Sequence, residues 1–564
     1  DWSDEDIHTW TGSSWDYDGG HGTHVVGSAV GNGSASNGTY SGMAPDAGLV
    51  IQSRMTSTGS YKSVAYSTMF RDAYESGARI QTNSWSSRSS YGNYSWQSWQ
   101  TDHYIWNNPD LTVLFSAGNK GHTVGNHSIS TQASSKNVIA VGASENYRSS
   151  LGSSADNISQ MAYFSSQGYT WGDNRIKPDV VAPGTWILSM RSSLISDYWN
   201  HYWGSNSTYN GVNSKYAYLG GTSMSTPIVA GMAALIRQHY EDKEYEEDPS
   251  AALIKATIIN GARPLNGKWS SVPNRYEGWG RVNLSNSLAT EDGDSGRLKY
   301  FENETGLKNG EKHSRRISVS GGDSDIIATL VWTDYPGSNT SSTKLINDLD
   351  LEIVAPDGSK YLGNDFTSPF NDSRDSSNNV ERVRIPSPES GIYWINVSAN
   401  SVTVGPQKYA LVITGDTTDA IATMEWDREY YNGDGGHANL TLTDSNLTGM
   451  GWIELKVNTT SDPEGEKVNL TEITRGGVGS GIFLRGINLT LDSPENGEVR
   501  VKKDESLTAY YSEKYPPGNV VAEVTVLIPP VINSVYHDAG GKVLTYGDRV
   551  VVTINGTPGY WASF

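Results

Sequence analysis

Three short segments hold residue types that together could carry out acyl transfer. His21 lies in GHGTHVVGSAVGNG (20–33), flanked by glycines at the start of a helical pattern. Asn119 lies in FSAGNKG (115–121), where an apolar run ends in a glycine turn. Ser223 lies in GGTSMSTPIVAGMAAL (220–235), on a glycine-rich turn leading into small and apolar residues. Acyl transfer by a hydroxyl needs an exposed nucleophile, a base to take its proton, and a donor aimed where the oxyanion forms. Ser223, His21 and Asn119 supply those three types. A helix beginning at Ser223 adds free backbone N–H groups and the positive end of a dipole. Singly, each motif is a common turn or helix entry. In this order, at strand–loop–helix junctions, they point to one mechanism. No Gly-x-Ser-x-Gly turn surrounds Ser223, which argues against an esterase of that type.

The elements that must position these residues are strands alternating with helices. AGLVIQSRM (47–55), ARIQTNSW (78–85), LTVLFSAGN (111–119) and KNVIAVGAS (136–144) read as short buried strands bounded by Gly, Asn or Ser. Between them 61–78 and 95–108 read as helices, and two more follow after Gly221 and over 250–262. This alternation predicts an α/β fold, a mostly parallel sheet with helices on both faces, with the chemical residues beyond the carboxyl ends of strands. Residues 1–20 show no sustained period and read as loop. Beyond about residue 293 the helical signal stops. Runs at 324–335, 349–358, 391–399 and 407–415, separated by turn residues, predict an antiparallel β-sandwich. The expected division is an α/β domain over 1–292, a β-sandwich over 293–416, a β-rich Ig-like domain over 417–529 and the start of a further β domain over 530–564.

Composition narrows the function classes. Among 564 residues, 42 Lys and Arg stand against 62 Asp and Glu, a formal net charge of −20. Nucleic acid and anionic membranes need clustered positive charge, so neither is expected as a partner. Charged residues are 18% while Gly (60), Tyr (32) and Trp (18) are plentiful, which describes a folded chain rather than an acidic disordered one. Cysteine is absent, excluding a disulfide framework, a thiolate zinc site and a cysteine nucleophile. There is no apolar run of about 18 residues, so no membrane-spanning helix is expected. The opening at Asp1 and the short final β unit read as truncation at both ends.

HGTHVVG, SAGN and GTSMSTP resemble the His, Asn and Ser motifs of the subtilisin-like serine proteases (subtilases, peptidase family S8). The likeness extends to GMAPDAGLV (42–50), TNSWS (82–86), FSSQG (164–168), KPDVVAPGTWILS (177–189) and EGWGRVNL (277–284). With INDLDLEIVAPDG and YLGNDF in the β region, the chain is similar in particular to the oxidatively stable alkaline subtilases of bacilli. The resemblance covers roughly 18–415. It implies a subtilisin-like sheet followed by all-β sandwich domains, in a secreted, monomeric endopeptidase of protein or peptide substrates that uses no catalytic cofactor. It also implies roles: His21 as general base, Ser223 as nucleophile, and Asn119 as oxyanion donor beside the Ser223 N–H. Ser84, Trp85 and Ser86 would form the edge strand that pairs with the substrate main chain. Ser116, Ala117 and Gly118 would line the far wall of the pocket for the residue preceding the cut.

Two departures stand out. Ser86 occupies a position where the family usually has Gly, which would narrow the pocket entrance. The family's catalytic Asp sits on an apolar strand some 30 or more residues before the His, whereas only 20 residues precede His21. Asp18, and Asp1, Asp4, Glu5, Asp6 and Asp16 further back, read as loop acids, poorly suited to the rigid aim that a triad Asp needs. The Asp-bearing strand is therefore expected upstream. Met224 directly follows Ser223 and would pack under the site, where its sulfoxide would place a polar group beside the nucleophile. In the β region, NDLDL (347–351), GND (363–365) and Glu381 bring hard oxygens together, and Asp348 and Asp350 on one strand face suit a structural calcium ion. The rival class is a non-catalytic pseudo-protease whose β modules bind a cell surface or carbohydrate.

Overall fold

A computed structural model describes residues 7–9, 20–54, 60, 62–87, 90–193, 215–243, 248–288, 298–366, 370–419, 423–428, 430–432, 437–444, 451–475, 478–490, 498–502, 505–514, 517–527, 532–537 and 552–556. The α/β part runs β1 (Ile7–Thr9), α1 (His21–Val30), β2 (Ile51–Ser53), α2 (Tyr66–Glu75), β3 (Ile80–Asn83), α3 (Trp96–Asn107), β4 (Thr112–Ser116) and α4 (Gly121–Val124). It continues with β5 (Ile139–Ser144), β6 (Val180–Pro183), β7 (Ile187–Met190), β8 (Tyr216–Leu219), α5 (Thr222–Lys243), α6 (Ala251–Gly261) and α7 (Leu284–Leu288).

β3, β4, β5 and β6 form a parallel sheet in that order. Every residue of β4 and β5 is buried, because helices cover both faces. The pleat divides them. Leu114, Ile139 and Val141 join Val229, Ala233 and Ile236 of α5 and Leu253 and Ile258 of α6. Val113, Phe115 and Ala140 face the other way, toward Phe70 of α2 and Ile105 of α3. Local chemistry sets the helix starts. Ser95 Oγ accepts the N–H groups of Gln97 (3.1 Å) and Ser98 (3.4 Å), while Ser98 Oγ accepts the Ser95 N–H (3.1 Å), a reciprocal cap for α3.

One expectation changes. Residues 7–9 are strand rather than loop: β1 pairs parallel with β2, Ile7 opposite Ile51 and Thr9 opposite Ser53. Pairing with a distant edge overrides a segment whose own pattern is weak. Asp1, Asp4, Glu5, Asp6, Asp16 and Asp18 lie outside the described residues.

Two antiparallel sheets follow and share one apolar core. One contains Lys360–Leu362, Asn347–Val354, Gly391–Val402, Lys312–Val319 and Thr417–Asp419; the other contains Val380–Ile385, Ile326–Val331, Gln407–Thr414 and Leu298–Leu307. Leu349, Leu351, Ile353 and Ile395 from the first meet Ile326, Leu330, Val383 and Leu411 from the second. Apart from residues 314–316 and Asp419, these sheets and the α/β part belong to one compact unit. A buried polar cluster joins them. Lys136 Nζ pairs with the Asp334 carboxylate and donates to the carbonyls of Tyr335 (2.6 Å) and Lys344 (2.7 Å). Asn137 and Asp334 exchange side chain-to-backbone hydrogen bonds, both at 2.9 Å.

The second unit comprises 314–316 and 419–564. Its largest sheet runs from Thr423–Trp426 to Tyr430–Asn432, two strands nearly adjacent in the chain, so it curls around its own core of Leu440, Val457, Leu470, Phe483 and Val524. In Trp452–Thr459, Ile453, Leu455 and Val457 point inward while Glu454 and Lys456 face solvent. Among the described residues no helix is long and apolar enough to cross a membrane.

Candidate active site

His21 is the first residue of α1, entered through Gly20 at φ 75°. Ser223 is the second residue of α5. Ser84, Trp85 and Ser86 follow the carboxyl end of β3, and Asn119 follows that of β4. A cleft of 2090 Å³ is lined by His21, Ser84, Trp85, Ser86, Gly118 and Asn119 among others. Ser116 and Ala117 are buried behind Gly118, in and just after β4.

Ser223 is tied to the edge segment by two hydrogen bonds. Its Oγ donates to the Ser84 carbonyl at 3.2 Å, and Ser84 Oγ donates to the Ser223 carbonyl at 2.8 Å. Asn119 is tied to the residue before the serine. Its Oδ1 accepts both the N–H and the Oγ1–H of Thr222, each at 2.9 Å, while Thr222 Oγ1 accepts the Gly118 N–H at 3.2 Å. A backbone N–H can only donate, so the atom facing Thr222 is the amide oxygen, and Nδ2 turns the other way. It turns toward Gly221. A Cβ there would stand 3.2 Å from Asn119 Nδ2, and the φ of +149° is one that only glycine adopts without strain. Met224 is buried beneath, against Val25 and Ile187.

One turn after His21, His24 is fully buried. Its Nε2 reaches the carbonyls of Ile187 (3.0 Å) and Ala217 (3.1 Å), fastening α1 to β7 and β8. Burial lowers its pKa to about 4, with the neighbouring His21 charge adding to the effect. His24 and Thr222 are the two positioning residues that the sequence reading did not single out. Thr222 could have been suspected only from its place beside Ser223, and His24 only from its spacing to His21.

In the β region, Asp348 and Asp350 lie on Asn347–Val354, where pairing with Gly391–Val402 slips in register between Asp348 and Leu349. Asp348 Oδ2 accepts from Asn400 (2.9 Å), and Asp350 Oδ2 pairs with Arg374 (3.2 Å). Glu381 Oε2 accepts the Leu351 N–H at 2.6 Å. Asp348 Oδ1, Asp350 Oδ1 and Glu381 Oε1 are buried with no hydrogen-bond partner. Burial raises all three carboxyl pKa values, that of Asp348 to about 6. Among the described residues no group of three or more His, Cys, Asp or Glu side chains is disposed to hold a metal ion. Calcium at Asp348 and Asp350 would therefore draw further ligands from amide, backbone or water oxygens.

The parallel sheet, the serine at a helix start and the asparagine beside it define the subtilisin-like class of α/β proteins. The model of the subtilase family (Peptidase_S8) matches residues 1–280. Thermitase of Thermoactinomyces vulgaris is 31% identical over 264 residues, 47% of this chain and 73% of thermitase. The chain belongs to the subtilase family. It is also 29% identical over 528 residues to the serine protease/ABC transporter B family protein tagB of Dictyostelium discoideum, covering 71% of this chain and 27% of tagB. It thus spans less than a third of that relative's length. The solved structure of sphericase superposes with a TM-score of 0.36 at 22% identity, over 49% of this chain and 84% of sphericase.

Proposed function

We propose that this chain is the proteolytic part of a secreted, monomeric subtilase-type serine endopeptidase acting on protein or peptide substrates. The observation that carries the reading is the double hydrogen bond from Thr222 to Asn119 Oδ1, which turns Nδ2 toward Gly221, two residues before Ser223. In this reading His21 takes the Ser223 proton as Oγ attacks the scissile carbonyl. Asn119 Nδ2 and the Ser223 N–H hold the oxyanion. His21 then returns the proton to the leaving amine, and water, activated by His21, releases the acyl group from Ser223. Ser84, Trp85 and Ser86 pair with the substrate main chain as an added strand. A net charge of −20 disfavours nucleic acid as a competing ligand.

His21 needs a carboxylate to hold its tautomer and stabilise imidazolium. Among the described residues β3 is strand-paired only with β4, and β2 only with β1. Val25, Ala29, Ile51, Ile80 and Ala230 line the cleft there, an apolar setting for an additional strand bearing an Asp. A calcium ion beside Asp348 and Asp350 would be structural, relieving the buried orphan oxygens. A chelator should then lower Tm, and Asp348→Asn with Asp350→Asn should abolish that response.

The test of the proteolytic reading is casein hydrolysis by the full-length gene product against Ser223→Ala. Loss of hydrolysis in the variant supports it, and equal activity overturns it.

A further inference from the structure

We infer, on the proteolytic reading above, that the substrate cleft carries a subsite for an acidic side chain, formed by Arg54 lying on the ring of Trp85. Arg54 directly follows β2, and its guanidinium carbon is 4.4 Å from the Trp85 ring centre. The ring has its place fixed from other sides. Tyr66 meets it edge-on at 5.8 Å and 61°, and Phe115 does so at 5.5 Å and 86°. Tyr66 is itself held, since Gln132 Nε2 donates to its hydroxyl at 2.8 Å and Gln132 Oε1 accepts the Ser87 N–H at 3.0 Å. The cation is therefore laid on a braced aromatic face, an arrangement that favours guanidinium over ammonium.

This platform belongs to the same cleft as the chemistry. Arg54, Tyr66, Trp85 and Gln132 line it together with His21 and Asn119. Trp85 is next to Ser84, whose hydroxyl and carbonyl both bond Ser223. A peptide running along Ser84–Ser86 would place its side chains on alternate faces at about 3.3 Å per residue, so one of roughly four residues before the cut would come over Trp85. A carboxylate at that position meets a guanidinium whose planar edge matches it in a bidentate way. Arg54 has contacts of its own, and its guanidinium carries five N–H donors in a planar fork.

The surroundings point the same way. Glu241 and Asp248, which line another part of the cleft, pair with Arg237 at 2.7 and 3.4 Å. Tyr66 feels the charge of Arg54, and the Lys62 N–H donates to the Arg54 carbonyl at 2.8 Å, which brings a second cationic residue to this end of β2. A cation placed in the groove of a chain with net charge −20 runs against its overall sign, which gives the groove selectivity that bulk charge would not.

The experiment compares fluorogenic peptides that differ only in Glu, Gln or Lys at each of the four positions before the cut. Glu at one position should raise kcat/KM over Gln by roughly 5- to 20-fold, Lys should lower it, and the ratio should shrink as salt rises. Arg54→Met should bring the Glu-to-Gln ratio to unity, Arg54→Lys should retain part of it, and Arg54→Glu should turn the preference toward Lys. No Glu preference at any position, or one that survives in Arg54→Met, overturns the subsite. Anisotropy of the labelled peptides on Ser223→Ala separates this from failure of the proteolytic reading. Tighter binding of the Glu peptide, lost when Arg54→Met is added, supports the subsite even without turnover. Equal binding of the Glu and Gln peptides, or none of either, overturns it.

Discussion

Thr222 donates both its N–H and its Oγ1–H to Asn119 Oδ1, each at 2.9 Å, across 103 residues of chain. This sets the direction of the amide, because the donor group of Asn119 must then point away from Thr222. Thr222→Val preserves shape and removes one of the two bonds. Steady-state kinetics should show kcat falling by roughly 5- to 10-fold with KM nearly unchanged, against a fall of about 10² to 10³ for Asn119→Leu. An unchanged kcat in Thr222→Val would remove the hydroxyl from the account.

Gly221 carries the chain into α5 at φ +149°, with room for a Cβ only 3.2 Å from Asn119 Nδ2. Gly221→Ala should strain the turn and displace Asn119 Nδ2, the oxyanion donor on the proteolytic reading. The expected result is a loss of roughly 10- to 100-fold in kcat with the circular dichroism spectrum retained.

His24 gives a signed pH dependence. Its pKa falls from 6.5 to about 4 on folding, chiefly through burial, and its Nδ1 has no acceptor for a second proton. A base with a depressed folded pKa contributes stability above pH 6.5 that is lost progressively as pH falls toward 4. The loss over that window should be about 3 kcal/mol. Urea titrations at pH 7, 5.5 and 4 should show it, and His24→Gln should show a flatter profile with lower stability at pH 7.

Lys136 and Asp334 are both fully buried where the α/β part meets the β sheets. Removing one partner leaves the other charged in a dry site. Lys136→Met or Asp334→Ala should each destabilise by about 3–5 kcal/mol, whereas the double variant should recover much of that loss. Thermal unfolding of the set measures the coupling.

Legibility in the sequence followed how local each feature is. β4 and β5 were readable because strands buried on both faces are continuous apolar runs with punctuated ends. The element boundaries at His21, Asn119 and Ser223 were readable because each lies in a short glycine-rich motif. β1 was not, since three residues become strand only through β2, more than forty positions away. Thr222 and His24 escaped notice because their partners, Asn119, Ile187 and Ala217, are 103 to 193 residues distant. The same holds for Lys136 and Asp334, 198 residues apart. Asp348 and Asp350 were legible as a pair, but the register slip between them is a property of the neighbouring strand.

On the proteolytic reading Ser223 is a nucleophile activated by His21. The most direct measurement of this is covalent labelling of the full-length gene product by a fluorophosphonate, located by peptide mass spectrometry. The predicted result is a single adduct on Ser223, absent in Ser223→Ala and formed at least about 10²-fold more slowly in His21→Ala. Labelling that persists in Ser223→Ala, or that proceeds equally fast without His21, would contradict the account.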